Sequence, residues 1–213
     1  MRNSFDQVAT SPFFWWMQAR NLLLAAYAVR DAHKESFEAY WGSIPKEDGL
    51  VKLSEEQAFH LARLGIGPVF PFLMGLAFEN MVKGILVARD SNLVSNGKLS
   101  SELAGSHNLL ALFDKVGLEL SAEDRDFLRR LGECVLWAGR YPVPKRENDR
   151  IPRLTPGKGW LEPGTVWLDE EERMTDLWKK LNEVIASDPR CPKYQSWSPE
   201  DEGAHNTVGQ ADG

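Results

Sequence analysis

Between Phe70 and Ile85 the apolar residues recur once per helical turn: Phe70, Leu73, Met74, Ala77, Phe78, Met81, Val82 and Ile85. Spacings of three and four residues place these side chains on one face of an α-helix. A stripe that wide is stable only when other elements cover it, so it dictates a packed fold with this helix inside. The helix is expected to begin near Pro68 or Pro71, since a first turn tolerates proline.

The flanking sequence supplies helices rather than strands as cover. Residues 1–10 read as a loose leader. Ser11 then Pro12 forms a start signal, a capping hydroxyl followed by proline at the first helical position. From there to about Trp41 the pattern is helical, with Phe14, Met17, Leu22, Ala25 and Ala28 near the required spacings, until Gly42 and Pro45 end it. Ser54-Glu55-Glu56-Gln57 is a capping box that opens a short helix to about Leu64, broken by Gly65, Gly67 and Pro68. Residues 90–105, rich in Ser, Asn and Gly, read as a loop. Ser106 is placed to cap a short helix carrying Leu109, Leu110, Leu112 and Phe113 and stopping at Gly117. Ser121 with Asp124 starts another, whose stripe is Phe127, Leu128, Leu131, Cys134, Val135 and Ala138 and which stops before Pro142. Residues 141–166 carry five prolines and three glycines, so they read as a long irregular segment, with a short hairpin near Thr155 to Trp167. Asp169 caps a last helix with Met174, Leu177, Trp178, Leu181, Val184 and Ile185. After Pro189 the tail is polar and reads as disordered. The prediction is an all-α antiparallel bundle of about five or six helices, forming one domain over residues 1–188 with a tail at 189–213.

Composition narrows the function. The net charge of −6 excludes generic coating of DNA, which requires an excess of Lys and Arg. Cys134 and Cys191 match no metal spacing and no disulfide framework, and no signal peptide is visible, so a reducing cytoplasm is expected. The most apolar stretch, Gly65 to Phe78, is shorter than the roughly 20 residues a bilayer requires, so it reads as a buried helix and no membrane partner is expected. Gly157-Lys158-Gly159 lacks the spacing of a phosphate loop. No histidine and carboxylate spacing suggests zinc, and no cofactor is expected.

Three segments taken in order resemble a known family. Gly75-Leu76-Ala77-Phe78-Glu79-Asn80-Met81-Val82-Lys83-Gly84 lies in the central helix. Ser106-His107-Asn108-Leu109-Leu110-Ala111-Leu112-Phe113 opens the following helix, and Gly139-Arg140-Tyr141-Pro142 closes the next. This order resembles the HEPN-like helical domains (higher eukaryotes and prokaryotes nucleotide-binding), over roughly residues 70–142. The resemblance implies an all-α bundle, homodimerisation, and a role in nucleotide or RNA biology or in stress and phage defence. Many members are ribonucleases that carry Arg, four to six residues, then His on one helix. None of the four histidines here has an arginine at that distance upstream, so the resemblance is to a branch without that nuclease motif.

The candidate ligand-binding residues are Glu79, Lys83, His107, Arg140 and Tyr141. Glu79 and Lys83, one turn apart, read either as an exposed ion pair or, beside Asn80, as a polar pair lining a cleft. His107 is expected in a first helical turn, where free N–H groups favour an anion; the alternative is a capping or core histidine. Arg140 either satisfies terminal carbonyls or clamps an anion through two parallel hydrogen bonds, with Tyr141 stacking alongside. Arg140, Lys145, Arg146, Arg150, Arg153 and Lys158 outnumber Glu147 and Asp149, and Trp160 and Trp167 follow. That run reads as a solvated loop or as a surface on which bases stack beside charges. The acidic run Asp169 to Glu172 reads as charge matching at a helix N-terminus. The other reading of all these residues is structural, a set of ties within an interaction module that acts through homodimerisation.

Overall fold

The computed structural model describes residues 4–43, 53–105, 107–138, 153–155, 159–161 and 170–192. The fold is all-α, as the stripes require. Its helices are α1 (Ser4–Ala9), α2 (Pro12–Ser43), α3 (Glu55–Leu64), α4 (Val69–Arg89), α5 (Ser101–Ala104), α6 (Leu109–Val116), α7 (Ala122–Glu133) and α8 (Glu171–Ser187). Two small antiparallel hairpins join them: β1 (Val94–Ser95) with β2 (Lys98–Leu99), and β3 (Arg153–Thr155) with β4 (Gly159–Leu161).

The predicted central helix is α4, and it is more deeply enclosed than its stripe requires. It packs against α2, α6, α7 and α8, so polar positions off the stripe are covered as well. Two glycines permit the closest approaches. A Cβ at Gly84 would collide with the Trp16 indole on α2, and one at Gly75 with Val135 just after α7. Trp16 uses that proximity to donate from Nε1 to the Met81 carbonyl at 3.3 Å. Phe78 forms the middle of the core, with Phe113 of α6 and Trp178 of α8 packed on its ring at 5.7 and 5.8 Å.

The local start and stop chemistry is largely as read from sequence. Pro12 opens α2, and Ser54 with Gln57 and Ser121 with Asp124 form complete capping boxes. Gly117 ends α6 with φ of +76°, a left-handed conformation that favours glycine. By length and composition alone the run Glu55–Arg89 suffices to cross a membrane, but within it α4 is the buried core helix.

Several elements differ from expectation. Residues 4–9 are helical rather than loose. Asp6 accepts from Gly97 N at 2.9 Å, the Ala9 carbonyl accepts from Trp15 Nε1 at 2.9 Å, and these two bonds hold the short helix onto the body. The 90–105 stretch contains the β1–β2 hairpin and α5 instead of plain loop. Asn96 and Gly97 turn it with φ of +53° and +70°, the conformation favoured in two-residue hairpins. The later hairpin lies at 153–161, N-terminal of the predicted centre. Helix α7 passes into a π-helical segment, Cys134–Ala138. Cys191 is buried in the core, so the folded body extends past residue 188. Both cysteines are reduced and buried.

Candidate functional site

Three of the five predicted site residues meet. Glu79 and Lys83 lie one turn apart on α4, each only 5% exposed, so of their two readings the exposed ion pair is overturned by the enclosure of α4. Lys83 Nζ donates to Glu79 Oε1 at 2.7 Å. His107 approaches the same carboxylate through Nδ1, 3.0 Å from Oε2 and 3.2 Å from Oε1. A carboxylate only accepts, so Nδ1 carries the proton and the imidazole's other nitrogen, Nε2, is left for a further partner. The His107 side chain is 38% exposed, so one edge reaches the surface while the other is fixed inside.

His107 does not occupy a first helical turn. Asn108 is extended at φ −82°, and its side chain accepts from Ala111 N, so Asn108 is the cap and α6 starts at Leu109. Asn108 takes the cap because its side-chain oxygen lies within reach of the N3 amide. His107 therefore precedes the helix, and Gly132 of α7 passes close beneath, where a Cβ would lie 3.9 Å from the His107 carbonyl. Asn80 does not join the cluster; its side chain donates back to the Leu76 carbonyl at 2.8 Å. Arg140 and Tyr141 lie outside the described residues, as do Ser106, Asp169, Trp167 and most of the basic run. The π-helical segment that leads toward Arg140 packs against α4.

The cluster is electrically economical. Lys83 neutralises Glu79, so with a neutral imidazole the group carries no net charge, and with an imidazolium it carries one positive charge. Removing either partner of a buried pair leaves an uncompensated charge, which typically costs about 3–5 kcal/mol. The chemistry on offer is that of an oriented imidazole: a hydrogen-bond donor to an anion when protonated, an acceptor when not.

A second polar centre, unpredicted from sequence, joins α7 to α8. Arg130 donates to Glu170 through both terminal nitrogens, at 2.9 and 2.5 Å, and through Nε to Asp126 at 2.8 Å. Both Arg130 and Glu170 are buried, so Glu170 is not simple charge matching at a helix end. Asp124 accepts from Arg173 and Lys180 of α8 and closes its capping box with the Ser121 amide. Burial pushes the carboxyls of Asp124 and Asp126 up, but the bonds from Ser121, Lys180 and Arg173 to the first, and from Arg129 and Arg130 to the second, outweigh it and hold both below the ordinary carboxylate value. The sequence signal was the Asp126 and Arg130 spacing of one turn beside a stripe; the partner 40 residues away carried none. Among the described residues no group of His, Cys, Asp and Glu is arranged to hold a metal ion. Compared with protein-family models, curated proteins and solved structures, the chain has no match.

Proposed function

We propose that this is a HEPN-like helical protein that binds an anionic, phosphate-bearing ligand, a nucleotide or RNA, at the exposed edge of His107. The observation that carries it is the buried Glu79 carboxylate, which holds Lys83 with one oxygen and fixes the His107 ring through Nδ1. A phosphate oxygen at Nε2 would meet a preoriented donor whose positive charge Glu79 stabilises from the far side. Two of the three segments behind the family resemblance supply these residues, and the third follows an element packed on α4. The resemblance adds Arg140 and Tyr141 to the ligand's surroundings, and stress or phage defence as the setting.

The test is calorimetric titration of the full chain with nucleotides and short RNA. Wild type should bind, and His107→Ala should weaken binding at least about tenfold while leaving thermal stability near the wild-type value. Failure of the wild type to bind at millimolar ligand overturns the proposal. The burial of both Glu79 and Lys83 favours one other reading, a polar tie joining α4 to the segment before α6 in an interaction module. Under it, His107→Ala lowers the melting temperature and no nucleotide or RNA binds.

A further inference from the structure

The histidines of this chain are not equivalent as chemical groups. His33 and His60 each carry a buried Nδ1 with no hydrogen-bond partner, and among the described residues no carboxylate is bonded to either ring. His107 differs. Its Nδ1 lies 3.0 Å from Glu79 Oε2, so the proton is on that nitrogen and the ring's lone pair is on Nε2. Among the described residues Nε2 has no partner, and it is not buried; the side chain is 38% exposed. The carboxylate behind the ring is 5% exposed and holds Lys83 Nζ at 2.7 Å. A ring fixed through one nitrogen by a buried acid, with the other nitrogen turned to solvent, has the arrangement of an oriented nucleophile.

We propose that His107 is a phosphoryl-acceptor site, modified at Nε2 by a donor of the phosphoramidate class, a phosphorylated imidazole included. The Nε2 lone pair forms the new N–P bond. The donor's nitrogenous group is already protonated, so it leaves neutral with the electron pair of the N–P bond that breaks. The His107 ring keeps its Nδ1–H and becomes cationic. One N–P bond replaces another, so the group remains available for onward transfer. Charge supports this acceptor. A phosphoryl donor is anionic, and a bare carboxylate behind the ring would repel it. Lys83 cancels that charge, so the donor meets a group with no net charge. As the N–P bond forms the ring turns positive, and Glu79 is already in hydrogen-bond contact with its far side. The inference uses the imidazole of the proposed ligand site but needs no nucleotide or RNA to bind.

The test is incubation of the full chain with potassium phosphoramidate, followed by intact mass and peptide mapping in alkaline buffer, where phosphohistidine survives. His107 should be labelled at least about tenfold faster than His33, His60 or His205, and at Nε2 by NMR of the isolated peptide. A ring that merely ties helices together would show no such preference. Glu79→Gln with Lys83→Met removes both buried charges together, and it should slow labelling of His107 at least about tenfold while the dichroism stays helical. If that variant misfolds, the wild-type rate ratio and the identity of the labelled nitrogen still decide. Labelling of His107 no faster than the other histidines, or at Nδ1, or at the wild-type rate in the folded variant, overturns the inference. A calorimetric titration without nucleotide or RNA binding overturns the earlier proposal and leaves this one standing.

Discussion

Glu79 and Arg130 are polar ties inside the fold. Both are buried, each gathers at least two partners, and each joins parts of the chain distant in sequence. Their truncation should therefore differ from that of surface pairs such as Arg125 with Asp114, which is nearly half exposed on both sides and worth at most about 1 kcal/mol. Arg130→Ala should lower stability by about 3–5 kcal/mol, because Glu170 and Asp126 lose its guanidinium inside the fold; the midpoint of urea unfolding checks it. Arg125→Ala should shift that midpoint little. Of the candidate site, the grouping of Glu79 with Lys83 was legible, since a one-turn spacing on a helix guarantees adjacency. Their burial was not, because it depends on how many neighbours surround α4. Nor was the capping role of Asn108, which moved His107 out of the helix.

Elements follow their end signals. Pro12, the Ser54 and Ser121 boxes and Gly117 fix boundaries locally, within a few residues, which is why those boundaries were legible. Ser121→Ala should cost about 1 kcal/mol, measured by the same unfolding curve. Helix α1 and the β1–β2 hairpin were not legible as a unit, because the bond from Gly97 N to Asp6 spans the distance between them and neither is long enough to persist alone. The contact of α4 with α2 is set by a residue lacking a side chain. Gly84→Leu should force the Trp16 indole out of its seat and destabilise by about 1–3 kcal/mol. Loss of the Trp16 fluorescence environment, read against a Trp16→Phe control, would show whether the displacement occurs there.

The molecule as a whole is an α4-centred bundle whose α7–α8 seam is held by carboxylates that must stay ionised. Asp124 and Asp126 have folded-state values below the ordinary 3.8. Their stabilisation is therefore fully present above that value and is lost as pH falls from there through the lower folded-state values, because the unfolded chain takes up those protons first. Stability should be flat near neutrality and decline below about pH 4. Asp124→Asn should reduce stability at neutral pH and flatten the acid decline; thermal melts across pH check both. A decline that begins near pH 6 instead would mean that histidines, not this seam, set the acid limit.

Cys134 lies deep in the bundle beside α4, its thiol pushed up to about 12 by burial, whereas Cys191 lies just past the end of α8 with its thiol pushed up by burial and by Asp188. The chain thus carries two chemical clocks of different depth. A thiol-specific reagent should mark Cys191 each time the last turn of α8 frays, and Cys134 only when the bundle opens as a whole, so that the slower labelling rate times the lifetime of the native state.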